Sequence, residues 1–248
     1  MARYKNLSVF LRRYFDEKVQ KISIHAGFSC PNRDGVKGFG GCTYCNNQTF
    51  SPAYCLSPKS VTEQLADGVG FFSRKYPSMK YLAYFQSYTN TYAELPVLIS
   101  TYEEALRFPN IVGIIISTRP DCMPDDLLNY LKKRAKSTFI LVEYGVESTN
   151  DNTLAFIKRG HAYAAVVDAV DRTAKCNIHV GAHLILGLPG ETRQDILEHA
   201  YRISQLSITT VKLHQLQLVK HTQMEKQFRE NPELFHFYTV NEYVDLVI

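Results

Sequence analysis

The amino-acid sequence predicts one α/β domain built on a parallel sheet. Strand-like and helix-like segments alternate six times between residues 19 and 221, and no linker or low-complexity stretch separates them. One of the strands, Ile111-Val-Gly-Ile-Ile-Ile116, is a continuous apolar run of the kind buried on both faces of a parallel sheet. At 248 residues and 45% hydrophobic, the chain can bury one large core.

Residues 1–18 read as a basic N-terminal arm. Residues 1–21 carry Arg3, Lys5, Arg12, Arg13, Lys18 and Lys21 against Asp16 and Glu17, which accounts for the whole net charge of +4. Such an arm is either an electrostatic footprint for nucleic acid or a solvated, poorly ordered terminus. Val19 to His25 is the first strand of a barrel-sized unit spanning 19–221. Ser60-x-x-Glu63 has capping-box form and opens a helix with Val61, Leu65, Val69 and Phe72 on one face, weakened by Gly68 and Gly70. Tyr81 to Phe85 is the second strand and Glu94 to Arg107 the next helix. After the third strand, Pro124 suits a first helical turn ahead of Leu127, Leu128 and Leu131.

Phe139 to Val142 is the fourth strand, and Tyr163, Val166, Val167, Val170 and Ala174 form a helical stripe. His179 to Leu188 is the fifth strand, closed by Gly187-Leu-Pro-Gly190. Thr192-x-x-Asp195 caps a helix whose inner face is Ile196, Leu197, Ala200 and Ile203, and Thr210 to Leu218 is the sixth strand. Residues 222–248 begin a C-terminal segment. Its Glu242 to Ile248 is amphipathic with no helix-stop signal, so the chain is expected to continue. No run approaches the length of a membrane span and the N-terminus lacks an apolar signal core, so a cytoplasmic protein is expected.

Three of the six cysteines, Cys30, Cys42 and Cys45, fall within sixteen residues around Gly35, Gly38, Gly40 and Gly41. Clustered cysteines in such a chain favour a metal site over disulfides. Three thiolates suit an iron–sulfur cluster with one open iron. They also suit zinc, for which Cys55 or His25 would have to supply the fourth ligand at an unusual spacing. Unconnected thiols are the third reading. Cys55, Cys122 and Cys176 read as small packed residues, with Cys122 the exception if any is functional. No compact His/Asp/Glu set points to a metal-dependent hydrolase.

In parallel α/β folds, functional groups gather at the C-terminal ends of strands. Here those positions hold the cysteine loop, Gln86 to Thr91, Ser117 to Cys122, Glu143 to Glu147, and His183 to Gly190, all polar or glycine-rich. Five such ends facing one mouth suit a polar cofactor beside a metal, and argue against a merely metal-stabilised binding module. Glu143 reads equally as an acid/base or as a salt-bridged barrel carboxylate. His25, His161, His179 and His214 read as core or rim residues.

Cys30, Cys42 and Cys45, with Tyr44 before the last, resemble the cluster motif of the radical S-adenosylmethionine (SAM) superfamily, although the first gap is eleven residues instead of three. Phe28 to Gly35, Gly40 to Asn46, Gln86 to Tyr92 and Thr118 to Cys122 resemble the uncharacterised YhcC-like group, in the branch that includes the catalytic subunit of Elongator. The resemblance runs from about residue 20 to 220 and implies a partial (β/α)6 barrel. It implies that Cys30, Cys42 and Cys45 bind a [4Fe–4S] cluster whose fourth iron SAM chelates. An electron donor such as flavodoxin or ferredoxin then drives cleavage of SAM to a 5′-deoxyadenosyl radical.

The resemblance also implies SAM contacts. Gln86, Ser87, Tyr88, Thr89 and Asn90 stand where relatives hold the methionyl amino group, although relatives are glycine-rich there. Ser117, Thr118 and Arg119 stand at the ribose or methionyl part, and Glu147 near the ribose. Arg159 matches an arginine paired with the SAM carboxylate, a role that suits a guanidinium fork. His183 replaces a ribose-binding aspartate, and Ile185 to Gly190, centred on Leu186, packs against adenine. The catalytic residues and the substrate, RNA or a small metabolite or cofactor precursor, are not named by the sequence.

Overall fold

The computed structural model describes residues 4–46, 49, 51–55, 59–74 and 79–248; Arg3 of the basic arm lies outside them. Helix α1 (Leu7–Leu11) precedes β1 (Val19–Ile24), which is followed by α2 (Val61–Ser73), β2 (Lys80–Phe85), α3 (Leu95–Arg107) and β3 (Ile111–Thr118). Next come α4 (Asp125–Arg134), β4 (Phe139–Glu147), α5 (Asp151–Phe156), α6 (Tyr163–Ala174), β5 (His179–Leu186), α7 (Arg193–Ser204) and β6 (Thr210–Gln215). Helices α8 (Gln223–Glu230) and α9 (Val240–Val247) follow. The six strands pair in sequence order, every pair parallel.

The sheet is curled. In a flat sheet β2 and β6 would stand roughly 19 Å apart at the usual strand spacing. Yet Lys212 Nζ on β6 lies 3.4 Å from the Tyr84 hydroxyl on β2, across the interior. The result is the parallel half-barrel expected from the sequence. Helices cover its convex face, where Ile22, Ile24, Ile114, Ile116, Val142 and Val180 meet the inner faces of the helices.

Local sequence explains most boundaries. Both capping boxes form: Ser60 and Glu63 exchange side-chain and backbone hydrogen bonds at α2, as do Thr192 and Asp195 at α7. Gly68 does more than weaken α2, because a Cβ there would lie 2.3 Å from Ile22 Cγ2. The glycine lets the helix lie close on β1. Strand β4 runs on to Glu147, five residues past the apolar core Phe139 to Val142, because Glu143 and Tyr144 still pair in register with β3. Strands β5 and β6 end earlier than their apolar pattern suggests, at Leu186 and Gln215.

Two expectations change. Helix α7 buries Ile196, His199 and Ile203, whereas Leu197 is 48% exposed and Ala200 is also exposed. On α6, likewise, Val167 is exposed. The N-terminal arm is not a solvated tail: Leu11 is buried against Leu82, Tyr84, Ile115 and Leu141, with Leu7, Phe10 and Phe15 packed around them. Phe10 and Tyr14 also meet Phe139 and His179, which begin β4 and β5. Helix α1 therefore plugs the end of the barrel opposite the strand C-termini. Among the described residues, no helix is long and apolar enough to cross a membrane.

Candidate functional site

The loop after β1 carries the three cysteines and is fastened to the barrel at several points. Cys30 and Cys45 are half-buried and Cys42 is buried. Asn32, itself buried, lies with its amide nitrogen 2.8 Å from the Lys158 carbonyl, 3.1 Å from that of Arg159 and 3.4 Å from Cys42 Sγ. A side chain at Gly160 would collide with the Asn32 amide oxygen at 2.7 Å, and the residue also adopts φ +74°. Farther along the loop, the Thr43 amide donates to the Ile157 carbonyl, and the Thr43 carbonyl accepts from Met224 at the start of α8. Lys37 reaches Asp121 at 2.5 Å, and Asp121 is held bidentately by Arg119. Burial alone would raise the Asp121 carboxyl, but Arg119 and then Lys37 outweigh it and hold it at about 2.

Three nitrogen donors point at the cysteine sulfurs. Arg33 Nη2 lies 3.6 Å from Cys45 Sγ, Arg159 Nη1 3.6 Å from Cys42 Sγ, and Asn32 supplies the third. Burial raises the Cys45 thiol, although the Arg33 hydrogen bond opposes it. Donors of this kind stabilise thiolate sulfur once a metal is present. Among the described residues, no three His, Cys, Asp or Glu side chains converge closely enough to hold a single metal ion. Three cysteine thiols with nitrogen donors aimed at two of their sulfurs are a donor set that fits an iron–sulfur cluster.

The cysteines open onto a cavity of about 460 Å³ at the C-terminal ends of the strands. Of the residues expected at a cofactor, Gln86, Tyr88, Thr89, Ser117, Thr118, Arg119, Glu147, Arg159 and His183 line it. Tyr88 takes a left-handed backbone, φ 63°, and presents its ring to the Arg33 guanidinium 5.3 Å away. Glu147, also left-handed at φ 65°, sits at a register shift in the β4–β5 pairing, a bulge of the kind that re-aims a side chain. Its carboxylate lies 3.6 Å from Arg159 Nη2, which also donates to the Gly145 carbonyl at 2.6 Å. A Cβ on Gly145 would sit 2.5 Å from that carboxylate and 2.6 Å from that guanidinium, so the glycine makes room for the pair. Buried wall atoms Thr89 Oγ1, Arg119 Nη1 and Arg159 Nε have no partner among the described residues, which leaves hydrogen-bonding capacity for a polar ligand.

Other expected residues lie elsewhere. Ser87 meets Ser51, and Asn90 donates its side-chain amide to the Ser117 carbonyl. Leu186 does not face the cavity; strand alternation turns it into an apolar groove under α7, and Ile185 takes the inward position. The Gly187 to Gly190 turn packs against the C-terminal segment, with Tyr238 3.1 Å from a Cβ built on Gly187 and the Gly190 amide bonded to the Leu234 carbonyl. Cys122 lines a separate outer depression, and burial, then Asp121, push its thiol up to about 12. Cys55 donates to the Ser23 carbonyl. Cys176 is packed against the core.

Three groups of polar side chains were not assigned to the site from the sequence, where His214 reads as a core or rim residue and Lys21 counts only toward the basic charge of residues 1–21. Tyr84, Lys212 and His214 line the cavity floor beside Glu143. Lys21, on β1, reaches Glu143 at 3.7 Å. The third group is a buried network behind the bulge: His199 Nδ1 lies 2.8 Å from Thr149 Oγ1, and its Nε2 3.0 Å from Glu191, which also accepts from Ser148. The alternation Val211-Lys212-Leu213-His214, polar on every second residue, was the available signal for β6.

A family model described as the radical SAM superfamily matches residues 30–203. The chain is 37% identical over 245 residues to the uncharacterised protein YtqA of Bacillus subtilis, covering 99% of this chain and 76% of that one. It is 40% identical over 217 residues to the protein YhcC of Escherichia coli, covering 87% and 69%. The resemblance to the YhcC-like group is thereby borne out. Elp3 of the archaeon Methanocaldococcus infernus shares the fold, with a TM-score of 0.68 at 16% identity, over 93% of this chain and 53% of that one. Because the matching stretch starts at Cys30 and runs into α7, carrying the cysteine loop and four strands with it, the chain belongs to the radical SAM superfamily of enzymes.

Proposed function

We propose that Cys30, Cys42 and Cys45 hold a [4Fe–4S] cluster and that SAM binds beside it across the strand ends. When bound, this pair supplies a 5′-deoxyadenosyl radical after one-electron reduction by a donor such as flavodoxin or ferredoxin. The observation that carries the reading is the aim of Asn32, Arg33 and Arg159 at two of the three cysteine sulfurs, inside a cavity lined by most of the residues expected to bind SAM. Arg159 receives the SAM carboxylate, held in place by the Gly145 carbonyl and Glu147. Thr89, Ser117 and Thr118 offer hydroxyls to the polar part of the cofactor, and Ile185 offers apolar contact. The cytosol, with its reduced thiols and electron donors, is the compartment this chemistry requires.

For the substrate, a small molecule is favoured over RNA. The described part of the basic arm lies at the barrel end away from the cavity, and Lys21, just beyond the arm on β1, points inward at Glu143. Anaerobic reconstitution with iron and sulfide, followed by dithionite and SAM, tests the reading. Slow release of 5′-deoxyadenosine that disappears in Cys45→Ala is the expected result. Normal iron–sulfide loading with no 5′-deoxyadenosine would overturn it.

A further inference from the structure

The cavity floor, on the side away from the cysteines, carries charged groups to which the cofactor reading gives no role. Two ammonium groups, Lys21 and Lys212, face one carboxylate, Glu143. That carboxylate is already engaged: Oε2 lies 2.8 Å from His183 Nε2 and accepts from Ser117 at 3.3 Å, while Oε1 lies 3.7 Å from Lys21 Nζ. A Cβ on Gly181 would stand 2.9 Å from Glu143 Cγ, so the glycine reserves space for this buried carboxylate.

Lys212 is left over. Among the described residues no carboxylate lies within 4.0 Å of its Nζ, whose nearest polar contact is the Tyr84 hydroxyl at 3.4 Å. His214, one inward step along β6, makes no hydrogen bond among the described residues, and its ring stands 5.5 Å from that of His183. Although His214 is exposed overall, partial desolvation, then Lys212 and His183, hold its imidazole down at about 4, and the neutral ring offers an N–H donor. Burial also lowers the Lys212 ammonium, and Glu143, acting at a distance and without a direct contact, only partly offsets it.

We infer that this floor is the substrate-recognition end of the cavity and that the substrate presents a carboxylate or phosphate group to Lys212 and His214. The word substrate rests on the cofactor reading above; the anion site rests on these side chains alone. A cationic substrate group finds no free carboxylate here, because both oxygens of Glu143 are occupied. An apolar group would leave the half-buried Lys212 charge without a direct partner.

The test uses the full chain with inorganic phosphate and succinate as probes, measured by calorimetry and thermal shift at low salt. Lys212→Met should weaken the preferred anion at least about tenfold, the scale of a charge-assisted hydrogen bond. Lys212→Arg should retain most of the affinity, and Lys132→Met, an exposed control, should change nothing. A stronger response to phosphate assigns a phosphorylated substrate, and a stronger response to succinate assigns a carboxylate. Equal binding by Lys212→Met and the unaltered chain, or no binding of either anion, overturns the inference. SAM affinity measured on the same variants separates the two proposals. A chain that binds the anion through Lys212 but takes up neither cluster nor SAM overturns the cofactor reading alone. Normal SAM binding with unchanged anion affinity in Lys212→Met overturns the anion site alone.

Discussion

Replacing Leu11 by alanine asks whether the N-terminal arm is part of the barrel. The side chain is 5% exposed and closes the lower interior against Leu82, Ile115 and Leu141. Removing three carbons forfeits about 2.4 kcal/mol at roughly 0.8 kcal/mol per buried methylene. A residual cavity adds to that, but the site lies at the barrel rim, where neighbours can settle, so the total stays near 2–3 kcal/mol, the lower part of the range of about 2–5 for Leu→Ala. With a urea slope of about 3 kcal/mol per molar, the unfolding midpoint should fall by about 0.7–1 M. Arg12→Ala, one residue on and exposed, should stay within about 0.5 kcal/mol of the parent. Equal midpoints for the parent and Leu11→Ala would refute the plug and return the arm to solvent, where a nucleic-acid role would regain its footing.

Glu143→Gln should cost about 3–5 kcal/mol in urea unfolding at neutral pH, because it leaves Lys21, Lys212 and His183 facing no carboxylate. Burial alone would raise the Glu143 carboxyl, but His183, then Lys21 and Lys212, hold it well below the unfolded reference of about 4.3. Its contribution is therefore complete above that reference and lost as pH falls through the lower folded value. The parent should lose this increment in acid, and the variant should have none to lose. Gly113→Ala should unfold at markedly lower temperature, by about 1–3 kcal/mol or more, since the new Cβ would lie 2.3 Å from the Phe139 carbonyl oxygen. Gly70→Ala, with nothing within 4 Å, should stabilise α2 by about 0.5–1 kcal/mol. Arg159→Gln should weaken SAM binding by about tenfold to a hundredfold in equilibrium dialysis while iron content is retained.

The elements legible in the sequence were those whose signals are local. The capping pairs Ser60–Glu63 and Thr192–Asp195 and the apolar run of β3 each lie within a few residues, and each formed as read. Eight of the nine cavity residues lie at strand ends, which converge in a parallel barrel, whereas Arg159, between α5 and α6, followed from the resemblance alone. What stayed hidden depends on distant partners. Leu11 is interior only because Leu82, Ile115 and Leu141 are brought beneath it. His199 on α7 is buried because Glu191 and Thr149 give its two ring nitrogens hydrogen-bonding partners. Leu186 could have been placed correctly from parity alone, because inward His183 makes Ile185 inward and Leu186 outward. The imbalance at Lys212 is invisible in the sequence, since it takes the fold to show that Glu143 is already occupied.

The most direct test of the central claim is the EPR spectrum of the reconstituted, dithionite-reduced protein with and without SAM. A [4Fe–4S] signal that shifts on SAM addition, and is lost in Cys30→Ala, Cys42→Ala and Cys45→Ala alike, is the predicted result. Tight uptake of a single zinc ion, with no cluster signal and no response to SAM, would contradict it and make the cysteine loop a structural clasp.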